Sequence, residues 1–390
     1  MPWRRSDIMS ERIKFIARLL DGERMSDLCQ EFEISRKTGY KLHDRFKAEG
    51  LEGLSDKPRL PIHRPNQTPV KIEQLIQDLR LAHPTWGSPK IKEYLQRKYG
   101  ELKIPASSTI HCILEKNNLI NKKKRIKLYK AEGTGLSEAL APNDLWCADF
   151  KGQFRMGNQQ YCYPLTTTDQ LSRMLLCCEA LENVKEDPAL NAFERTFLEY
   201  GLPARIRTDN GVPFASRSLF GLSLLSVWWL RLGILIERIE PGHPEQNGRH
   251  ERMHRTLKET VLKPPAKNIL QQQEKFDEFC ATFNHERPHQ GIQMKCPSDL
   301  YQKSSRTYPE VLGDLEYPQH EGSCRVSGCG SIVVQKNKRV FISEVFRHQI
   351  LGLKQVEEQL WQVDFMNYTL GFYDGESSRM SHAENPFLLT

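Results

Sequence analysis

Near Asn143 the hydrophobic spacing of the chain changes from a helical to an alternating pattern. Three alternating runs follow, and such alternation over about four to eight residues is typical of half-buried β-strands. They read "WCADFKGQF", "YCYPLTTTDQ" and "RMLLCCEAL". Because a short turn around "RMGNQQ" joins the first two, these runs predict an antiparallel meander.

Beyond this meander the chain alternates between helical and strand patterns. The patterns predict a helix over residues 188–200, a strand that ends at Asp209, an apolar helical region to about Leu232, the strand "ILIERI" and a helix after Gly248. This order of three strands, helix, strand, helix, strand and helix predicts a mixed α/β sheet.

The start of the chain carries the pattern of three short helices and predicts a DNA-binding domain over residues 1–55. Ser35 is placed to cap a third helix that ends at Gly50. In helix-turn-helix domains, the N-terminal residues of the last helix enter the major groove of DNA. The candidate DNA contacts on this helix are Arg36, Lys37, Thr38, Tyr40 and Lys41. A three-helix bundle that binds another protein fits the same pattern and stays open as an alternative.

A proline-rich stretch, "SDKPRLPIHRPNQTP", predicts an extended linker over residues 56–69. The second helical set, predicted over residues 70–135, has Ser107 or Ser108 as the cap of its last helix. Residues 107–117 are the alternative reader of DNA sequence if the first set does not have that role. The set ends in the basic arm "NKKKRIKLYK", whose candidate phosphate contacts are Lys122, Lys123, Lys124, Arg125 and Lys127.

The positive charge of the chain is concentrated in this second set. The formal net charge is +7, and residues 61–135 carry 15 Lys and Arg against 6 Asp and Glu. The rest of the chain is therefore close to neutral. Such a local excess is typical of a protein that binds a polyanion such as DNA.

Neither a membrane segment nor a secretion signal is predicted. The most apolar run, residues 219–236, is interrupted by Arg231, and its pairs Leu224-Leu225 and Trp228-Trp229 are expected in the core. The N-terminal residues lack the apolar region of a signal peptide, so a cytoplasmic location is expected. The ten cysteines are scattered without a CxxC pair, and we expect reduced thiols, mostly in the core, and no zinc site.

Residues 243–260, "HPEQNGRHERMHRTLKET", combine a turn with a highly charged helix. Asn247 and Gly248 form a turn dipeptide, because Asn and Gly tolerate positive φ. Glu251 follows in the first turn of the helix. Taken alone, Glu251 is interpreted as a solvated acid that complements the helix dipole.

Three blocks occur in the order "WCADF", "TDNGVPFAS" and "HPEQNGRHERMHRTLKET" along the chain. Together they resemble the signature blocks of the retroviral-integrase-like transposases, the bacterial insertion-sequence enzymes of the Asp, Asp, Glu class. The stretch "SRKTGYKLHDRFKAEGLEGLSDKPR" is similar to that family's N-terminal helix-turn-helix and linker, and "FNHERPHQGIQMKCPSDLY" to the segment after its core. The resemblance therefore covers nearly the whole chain.

The resemblance implies a multi-domain fold. All-α helix-turn-helix units would precede a central α/β mixed sheet of the ribonuclease-H-like type, which forms the catalytic core over residues 136–305. The later β-runs, "GSIVVQKNKRVFIS" and "LWQVDFMNYTLGFYD", are expected to form a small C-terminal β-barrel within residues 306–390. The last residues, "GESSRMSHAENPFLLT", are expected to be a flexible end.

The family's three catalytic carboxylates fall on Asp149, Asp209 and Glu251. The resemblance implies that they bind two Mg²⁺ or Mn²⁺ ions, which at about 3.5 to 4 Å apart activate the nucleophile and stabilise the leaving oxygen. Hard divalent cations prefer oxygen ligands of this kind. Glu245 is a rival to Glu251, but it lies before the turn, where a ligand is held less firmly than on a helix.

Other polar residues near the expected site are given different roles. Candidate DNA contacts beside Glu251 are Asn247, Arg249, Arg252 and Lys258. Asp144 and Asp169 are expected to be exposed acids that cap a turn or are solvated. His243, His250 and His254 are expected on a turn and helix face exposed to DNA, because no acid or cysteine joins them at zinc spacing.

The function implied by the resemblance is that of a DNA transposase of an insertion sequence. Such an enzyme binds double-stranded DNA, namely the terminal inverted repeats of its element and a target, and performs metal-dependent strand cleavage and strand transfer, and thus DNA integration and recombination. A homo-oligomer, a location at the bacterial nucleoid and no membrane partner are further expectations. Two alternatives stay open: a catalytically silent DNA-binding protein descended from a transposase, and a structure-specific nuclease with the same sheet.

Overall fold

The computed structural model describes residues 7–56, 67–120, 136–240, 242–334 and 338–387, with the backbone alone at residues 244 and 245. The chain divides into two compact units, Met1–Thr68 and Pro69–Thr390. No helix of the described part is both long enough and apolar enough to span a membrane. All ten cysteines are free thiols, and six of them are buried, as predicted.

The described residues form ten α-helices: α1 (Ile8–Leu20), α2 (Met25–Glu31), α3 (Arg36–Glu49), α4 (Val70–Ala82), α5 (Ser88–Lys98), α6 (Ser107–Lys116), α7 (Glu186–Tyr200), α8 (Leu224–Arg231), α9 (Gly248–Thr260) and α10 (Ile269–Ala281). They also form 13 strands: β1 (Trp146–Phe150), β2 (Phe154–Arg155), β3 (Tyr161–Asp169), β4 (Leu175–Leu181), β5 (Arg205–Thr208), β6 (Leu235–Arg238), β7 (Gly322–Arg325), β8 (Ser331–Val333), β9 (Arg339–Phe341), β10 (Ile350–Glu357), β11 (Leu360–Phe365), β12 (Tyr368–Asp374) and β13 (Arg379–His382).

The first unit is a bundle of α1, α2 and α3, which confirms the three predicted helices. Ser35 Oγ accepts a hydrogen bond from Thr38 N at 3.2 Å and caps α3, and Gly50 ends the helix, as predicted. A Cβ atom at Gly39 would lie only 2.7 Å from Cys29 Sγ. A larger residue at this position would therefore force the side chains packed against α3 to shift.

The second helical set, α4 to α6, packs around its own apolar cluster, with Ile76 and Ile110 fully buried at its centre. The predicted cap of α6 is wrong. Ala106 holds the N-cap position, Ser107 is already helical, and no side chain caps the helix. Neither Ser107 nor Ser108 therefore takes the role that its residue type favours.

The central sheet confirms the predicted mixed α/β topology. Strand β3 pairs antiparallel with β1 on one side and with β4 on the other. The short strand β2 pairs with the beginning of β3, on the same side as β1. Strand β5 runs parallel to β1, and β6 runs parallel to β5. The order across the sheet is therefore β4-β3-β1-β5-β6.

Helices cover both faces of this sheet. Because side chains alternate along a strand, Trp146 and Ala148 point to one face and Cys147 and Asp149 to the other. Apolar residues of α7 and α8 bury the first face, and Trp229 lies fully buried there, as predicted for this apolar run. Apolar residues of α9 and α10 pack on the second face.

The C-terminal strands form an open sheet, so the predicted closed β-barrel is not confirmed. Strands pair in the order β13-β12-β11-β10-β7, β8 and β9 form a separate hairpin, and among the described residues no pairing joins β13 to β7. The apolar face of the sheet is covered instead by Ile332 and Val340 of the hairpin and by Phe220 and Leu230 near α8. The predicted flexible end is also corrected, because it contains β13, and Asn385 donates to Phe220 O.

Candidate active site

Two adjacent strands carry Asp149 and Asp209 to the same level of the sheet. Strands β1 and β5 run parallel, with Cys147 opposite Arg207. The same offset places Asp149 level with Asp209, which directly follows β5. Gly211 N donates to Asp209 Oδ1 at 3.1 Å, and a Cβ atom at Gly211 would lie 3.0 Å from Asp209 Oδ2. A glycine two residues after the acid therefore lets its carboxylate fold back onto the chain.

Glu251 is exposed in the first turn of α9, and its charge acts on Asp149. The pKa of Asp149 is raised to about 7, first by burial, then by the charge of Asp209 and, more weakly, by that of Glu251. Lys151, which was not among the predicted site residues, opposes this shift from two positions after Asp149. The charges of both Asp209 and Glu251 therefore act on Asp149.

The chain enters α9 through a 3₁₀ turn, Pro244–Asn247, and not through the predicted positive-φ turn. Asn247 has φ −113° and ψ 23°, because the turn runs directly into the helix. Gln246 Oε1 accepts from Glu240 N at 2.8 Å and ties the turn to the end of β6. Asn247 is only 6% exposed, which contradicts its predicted role as a DNA contact. The other predicted contacts of this helix are exposed: Arg249, Arg252 and Lys258.

Two histidines of α9 are buried beneath the helix, which corrects the prediction that they face DNA. His250 and His254 are 1% and 3% exposed, whereas the side chain of His243 is 52% exposed. Thr166 Oγ1 lies 2.8 Å from Nε2 of His250 and 2.7 Å from Nε2 of His254. His254 Nδ1 lies 3.7 Å from Asp149 Oδ2. Burial lowers the pKa of both imidazoles far enough that they are neutral at pH 7.

The two other acids of this region differ from each other. Asp144 Oδ2 accepts hydrogen bonds from Leu140 N and Ala141 N at 2.9 and 2.7 Å, so it caps a turn as predicted. Asp169 is 1% exposed, and the prediction of an exposed acid is wrong. Its Oδ2 accepts from Ser172 N and Ser172 Oγ at 2.8 and 2.6 Å, which compensates for its burial.

A buried ion pair that was not among the predicted site residues ties β5 to β6. Arg207 and Glu237 lie opposite each other in the two strands, and their side chains are 3% and 4% exposed. Arg205 adds a second contact to Glu237 at 3.2 Å. Because Asp209 lies two residues beyond Arg207, this pair fixes the strand end that carries the second carboxylate. Charged residues at alternate positions of "RIRTD" are the signal that could have indicated it.

The three carboxylates supply the oxygen donors that a hard divalent cation prefers. Within the described residues, no group of three or more His, Cys, Asp and Glu side chains forms a ready metal-ligand set. The pKa of Asp149 is raised first by burial and then by the charges of Asp209 and Glu251, and a bound cation would favour its ionised form. The donor chemistry of Asp149, Asp209 and Glu251 therefore fits a divalent ion.

The five residues of α3 predicted to contact DNA are all exposed. They are Arg36, Lys37, Thr38, Tyr40 and Lys41. The opposite side of the helix is buried at Gly39 and Leu42. Five further predicted contacts lie outside the described residues: Lys122, Lys123, Lys124, Arg125 and Lys127.

The mixed sheet and the helices on both of its faces lie in the part of the chain that matches the integrase core class of domains. Residues 139–244 and residues 232–297 match two family models that are both described as an integrase core domain. Residues 11–62 match a helix-turn-helix domain and residues 38–114 a homeodomain-like domain. The helix-turn-helix prediction for the start of the chain is thereby confirmed.

Two relatives are proteins of bacterial insertion elements. The chain is 23% identical over 231 residues to the uncharacterized 39.2 kDa protein of insertion element IS476 from Xanthomonas euvesicatoria, and the match covers 58% of this chain and 64%, less than two thirds, of that protein. It is 23% identical over 217 residues to the uncharacterized 31.7 kDa protein of insertion element IS407 from Burkholderia multivorans, covering 51% and 76%. With the family matches, they confirm the predicted resemblance to insertion-sequence transposases with an integrase-like core.

Solved structures of retroviral integrases are also similar to this chain, at low scores. The catalytic core domain of HTLV-2 integrase in complex with magnesium has 16% identity and a TM-score of 0.34, covering 42% of this chain and 100% of that one. The simian T-cell lymphotropic virus intasome has 15% identity and a TM-score of 0.39, covering 80% and 99%. Likenesses at these scores carry no conclusion about activity.

Proposed function

We propose that this chain is the DNA transposase of an insertion sequence, which cleaves the ends of its element and joins them to a target. The observation that carries the proposal is that Asp149 and Asp209 lie level on two adjacent strands, with the charges of Asp209 and Glu251 both acting on Asp149, in segments that match the integrase core. The similarity to two insertion-element proteins supports the same function.

Asp149, Asp209 and Glu251 would hold divalent ions, Mg²⁺ or Mn²⁺, on which integrase cores depend. When bound, two such ions would activate the attacking water or 3′-hydroxyl and stabilise the leaving oxygen. Asp149, on which the charges of both other carboxylates act, would hold metal together with each of them. Glu251 contributes from the rigid first turn of a helix, which favours it over Glu245 in the preceding turn.

The neighbouring residues of this chain orient the carboxylates and attract the substrate. Thr166 donates to the carbonyl oxygen of Asp149 at 3.1 Å and so holds β1 at the position of the acid. Lys151 carries a positive charge that acts on both Asp149 and His254. Because a phosphodiester is negatively charged, this cation favours its approach to the carboxylates.

The partner is double-stranded DNA, both the terminal inverted repeats and the target. The exposed N-terminal residues of α3 would read the repeats, since they begin the last helix of a helix-turn-helix match. Arg249, Arg252 and Lys258 on α9 would contact phosphates close to the carboxylates. Cleavage and joining of two element ends require at least two sets of these residues, so we expect a homo-oligomer that acts on nucleoid DNA in the bacterial cytoplasm.

Two other functions use the same fold. A catalytically silent DNA-binding protein would not need three interacting carboxylates, and a structure-specific nuclease would not need a helix-turn-helix domain ahead of its core. The chain has both features. The transposase is therefore the function that accounts for the whole chain.

The test uses the full-length protein and linear DNA that carries the sequences flanking this reading frame. We expect strand cleavage at inverted repeats with Mg²⁺ or Mn²⁺, no cleavage after chelation, and recovery when either ion is added back; zinc should not be required. Cleavage of end and random DNA at equal rates would favour the nuclease. Binding of the repeats without cleavage at any metal concentration would favour the silent protein.

A further inference from the structure

A cavity of about 370 Å³ lies beside α9 and is lined by an unusual number of cations. Helix α5, the turn after β3, α9 itself and the segment after α10 each contribute. The five cationic residues are Lys90, Arg173, Arg249, Arg252 and Arg287. Two strand residues also line the cavity. Cys147 on β1 lies two residues before Asp149, and Thr168 on β3 lies two residues after Thr166. Two residues of a strand span about 6.6 Å, so the cavity adjoins that site.

The described lining holds little negative charge to balance these cations. Asp169 is the one acid among the lining residues, and its two oxygens are occupied. Oδ1 accepts from Asn143 N at 2.8 Å, and Oδ2 accepts from Ser172 N and Ser172 Oγ. Outside the lining, the charge of Glu259 on α9 acts on Arg287. The cavity as a whole therefore remains strongly positive.

Two of the guanidinium groups also keep donors without an acceptor. The Nε atoms of Arg173 and Arg287 are buried and have no hydrogen-bond partner among the described residues. Gly291 has no side chain where it faces Arg173, and any Cβ atom there would collide with the guanidinium group. A buried donor without a partner is unfavourable, and an anion in the cavity would supply the missing acceptor.

The pKa values of two of these side chains are lowered by burial and, secondarily, by the neighbouring positive charges. Burial, and then the charge of Arg287, lowers the pKa of Lys90 to about 7. Burial, and then the charges of Arg249 and Arg252, lowers the pKa of Arg173. Residues on four different elements are thus held together against their mutual repulsion. An anionic ligand is the simplest source of the missing counter-charge.

We propose that this cavity binds a backbone phosphate of DNA. The inference rests on the proposed function for the choice of DNA and on the five cations for the choice of phosphate. Arginine forks recognise phosphate oxygens through paired N–H donors. Lys90 lies in the homeodomain-like match, and Arg249 and Arg252 flank Glu251 on the catalytic helix. A phosphate held here connects the DNA-binding helices to the carboxylates and fixes the strand relative to Asp149.

The first measurement asks whether the cavity binds an anion at all, and it needs no enzymatic activity. Inorganic pyrophosphate, added at constant ionic strength, should raise the Tm of the wild-type protein, and this shift should be absent in the double variant Arg173→Gln/Arg287→Gln. Without ligand the variant should be at least as stable as the wild type, because it has two fewer like charges. Lys90→Met leaves both guanidinium groups in place. It should by itself reduce the rise in Tm that pyrophosphate causes.

The second measurement asks whether the anion belongs to DNA. For duplex DNA, the plot of log Kobs against log salt concentration should become shallower by about 0.9 for each phosphate that a variant no longer binds. The matched control is Arg195→Gln, which removes an arginine on α7 that is 59% exposed and paired with Glu179; it should change neither measurement.

Two outcomes would overturn parts of this proposal. Equal pyrophosphate shifts in wild type and double variant would overturn the anion site. An abolished pyrophosphate shift with an unchanged DNA slope would overturn the assignment to DNA. Carboxylate variants that lose cleavage should keep the pyrophosphate shift, so the phosphate site and the proposed transposase activity fail separately.

Discussion

The hydroxyl group of Thr166 fixes the tautomer of His254. Thr166 Oγ1 donates its single proton to the carbonyl oxygen of Asp149, at 3.1 Å, and lies 2.7 Å from His254 Nε2 and 2.8 Å from His250 Nε2. With that proton used, Thr166 can only accept from both imidazoles. Each histidine therefore carries its proton on Nε2, and the lone pair of His254 Nδ1 faces the Asp149 carboxyl group at 3.7 Å.

Replacing Thr166 by valine should destabilise the protein, although valine has nearly the same shape. Two buried imidazole N–H groups lose their acceptor, and each unsatisfied donor costs about 1 to 3 kcal/mol. Urea unfolding measures the change. Thr167→Val is the matched control, because Thr167 is equally buried but its hydroxyl has no hydrogen-bond partner in the described structure, so this change should be neutral or stabilising. Equal destabilisation of both variants would show that the hydrogen bonds of Thr166 contribute nothing specific.

Each of Asp149→Asn, Asp209→Asn and Glu251→Gln should abolish strand cleavage while leaving binding to the element ends largely intact. The reason is that a neutral amide is a poor ligand for a divalent ion and leaves the folded helices unchanged. Gel-shift and strand-cleavage assays separate the two properties. The control is Glu278→Gln, which neutralises an exposed acid on α10 and should cleave normally. Near-normal cleavage by Glu251→Gln would refute its assignment, and Glu245→Gln would be tested next.

Removing Arg207 alone should be costly, because it leaves Glu237 as a buried acid without its closest partner. Loss of one member of a buried ion pair costs about 3 to 5 kcal/mol, and Arg205 at 3.2 Å from Glu237 should keep the loss toward the lower value. Arg207→Met combined with Glu237→Leu should recover most of the stability, since no charge is then left buried. A double variant less stable than Arg207→Met, measured by urea unfolding, would contradict this account.

Local signals in the sequence were sufficient for most of the secondary structure. Ser35 begins α3 and Gly50 ends it. An N-cap hydroxyl and a C-terminal glycine each act only on the few residues next to them, so both are visible in the local sequence. The alternation that begins at Trp146 predicted β1, β3 and β4 for the same reason. Closure of the C-terminal sheet is different, because it depends on pairing between β7 and β13, which no local pattern specifies.

The environment of the site was harder to predict than its position. His250 and His254 are predicted on an exposed helix face because no acid or cysteine joins them at zinc spacing, yet they share one helical stripe with the buried Met253 and Leu257. That spacing of three and four residues was the available signal. Asp169 is predicted to be exposed because it ends a strand, but its burial is compensated by Ser172 in the turn that follows. A polar residue type indicates exposure only when no partner lies nearby in three dimensions.

The last prediction separates recognition of the DNA sequence by α3 from binding of DNA phosphates by the basic arm. Arg36 and Lys41 are exposed at the beginning of α3, so Arg36→Ala and Lys41→Ala should reduce discrimination between the element end and random DNA, by about 1 to 3 kcal/mol for each base that is no longer recognised. Lys47→Ala, at the far end of the same helix, is the control and should leave discrimination unchanged. Fluorescence anisotropy with end and random duplexes measures both affinities.

Replacing Lys122, Lys123, Lys124 and Arg125 together should have the opposite signature. Such a basic arm has no pattern suited to base edges, so binding to every sequence should weaken about equally, with a salt dependence shallower by about 0.9 for each phosphate that is no longer neutralised. If this variant instead loses specificity at an unchanged salt slope, or if Arg36→Ala and Lys41→Ala weaken all DNA equally, α3 does not read the sequence. Helix α6, which begins inside the homeodomain-like match, would then be the reader, because it is the last helix of the second set.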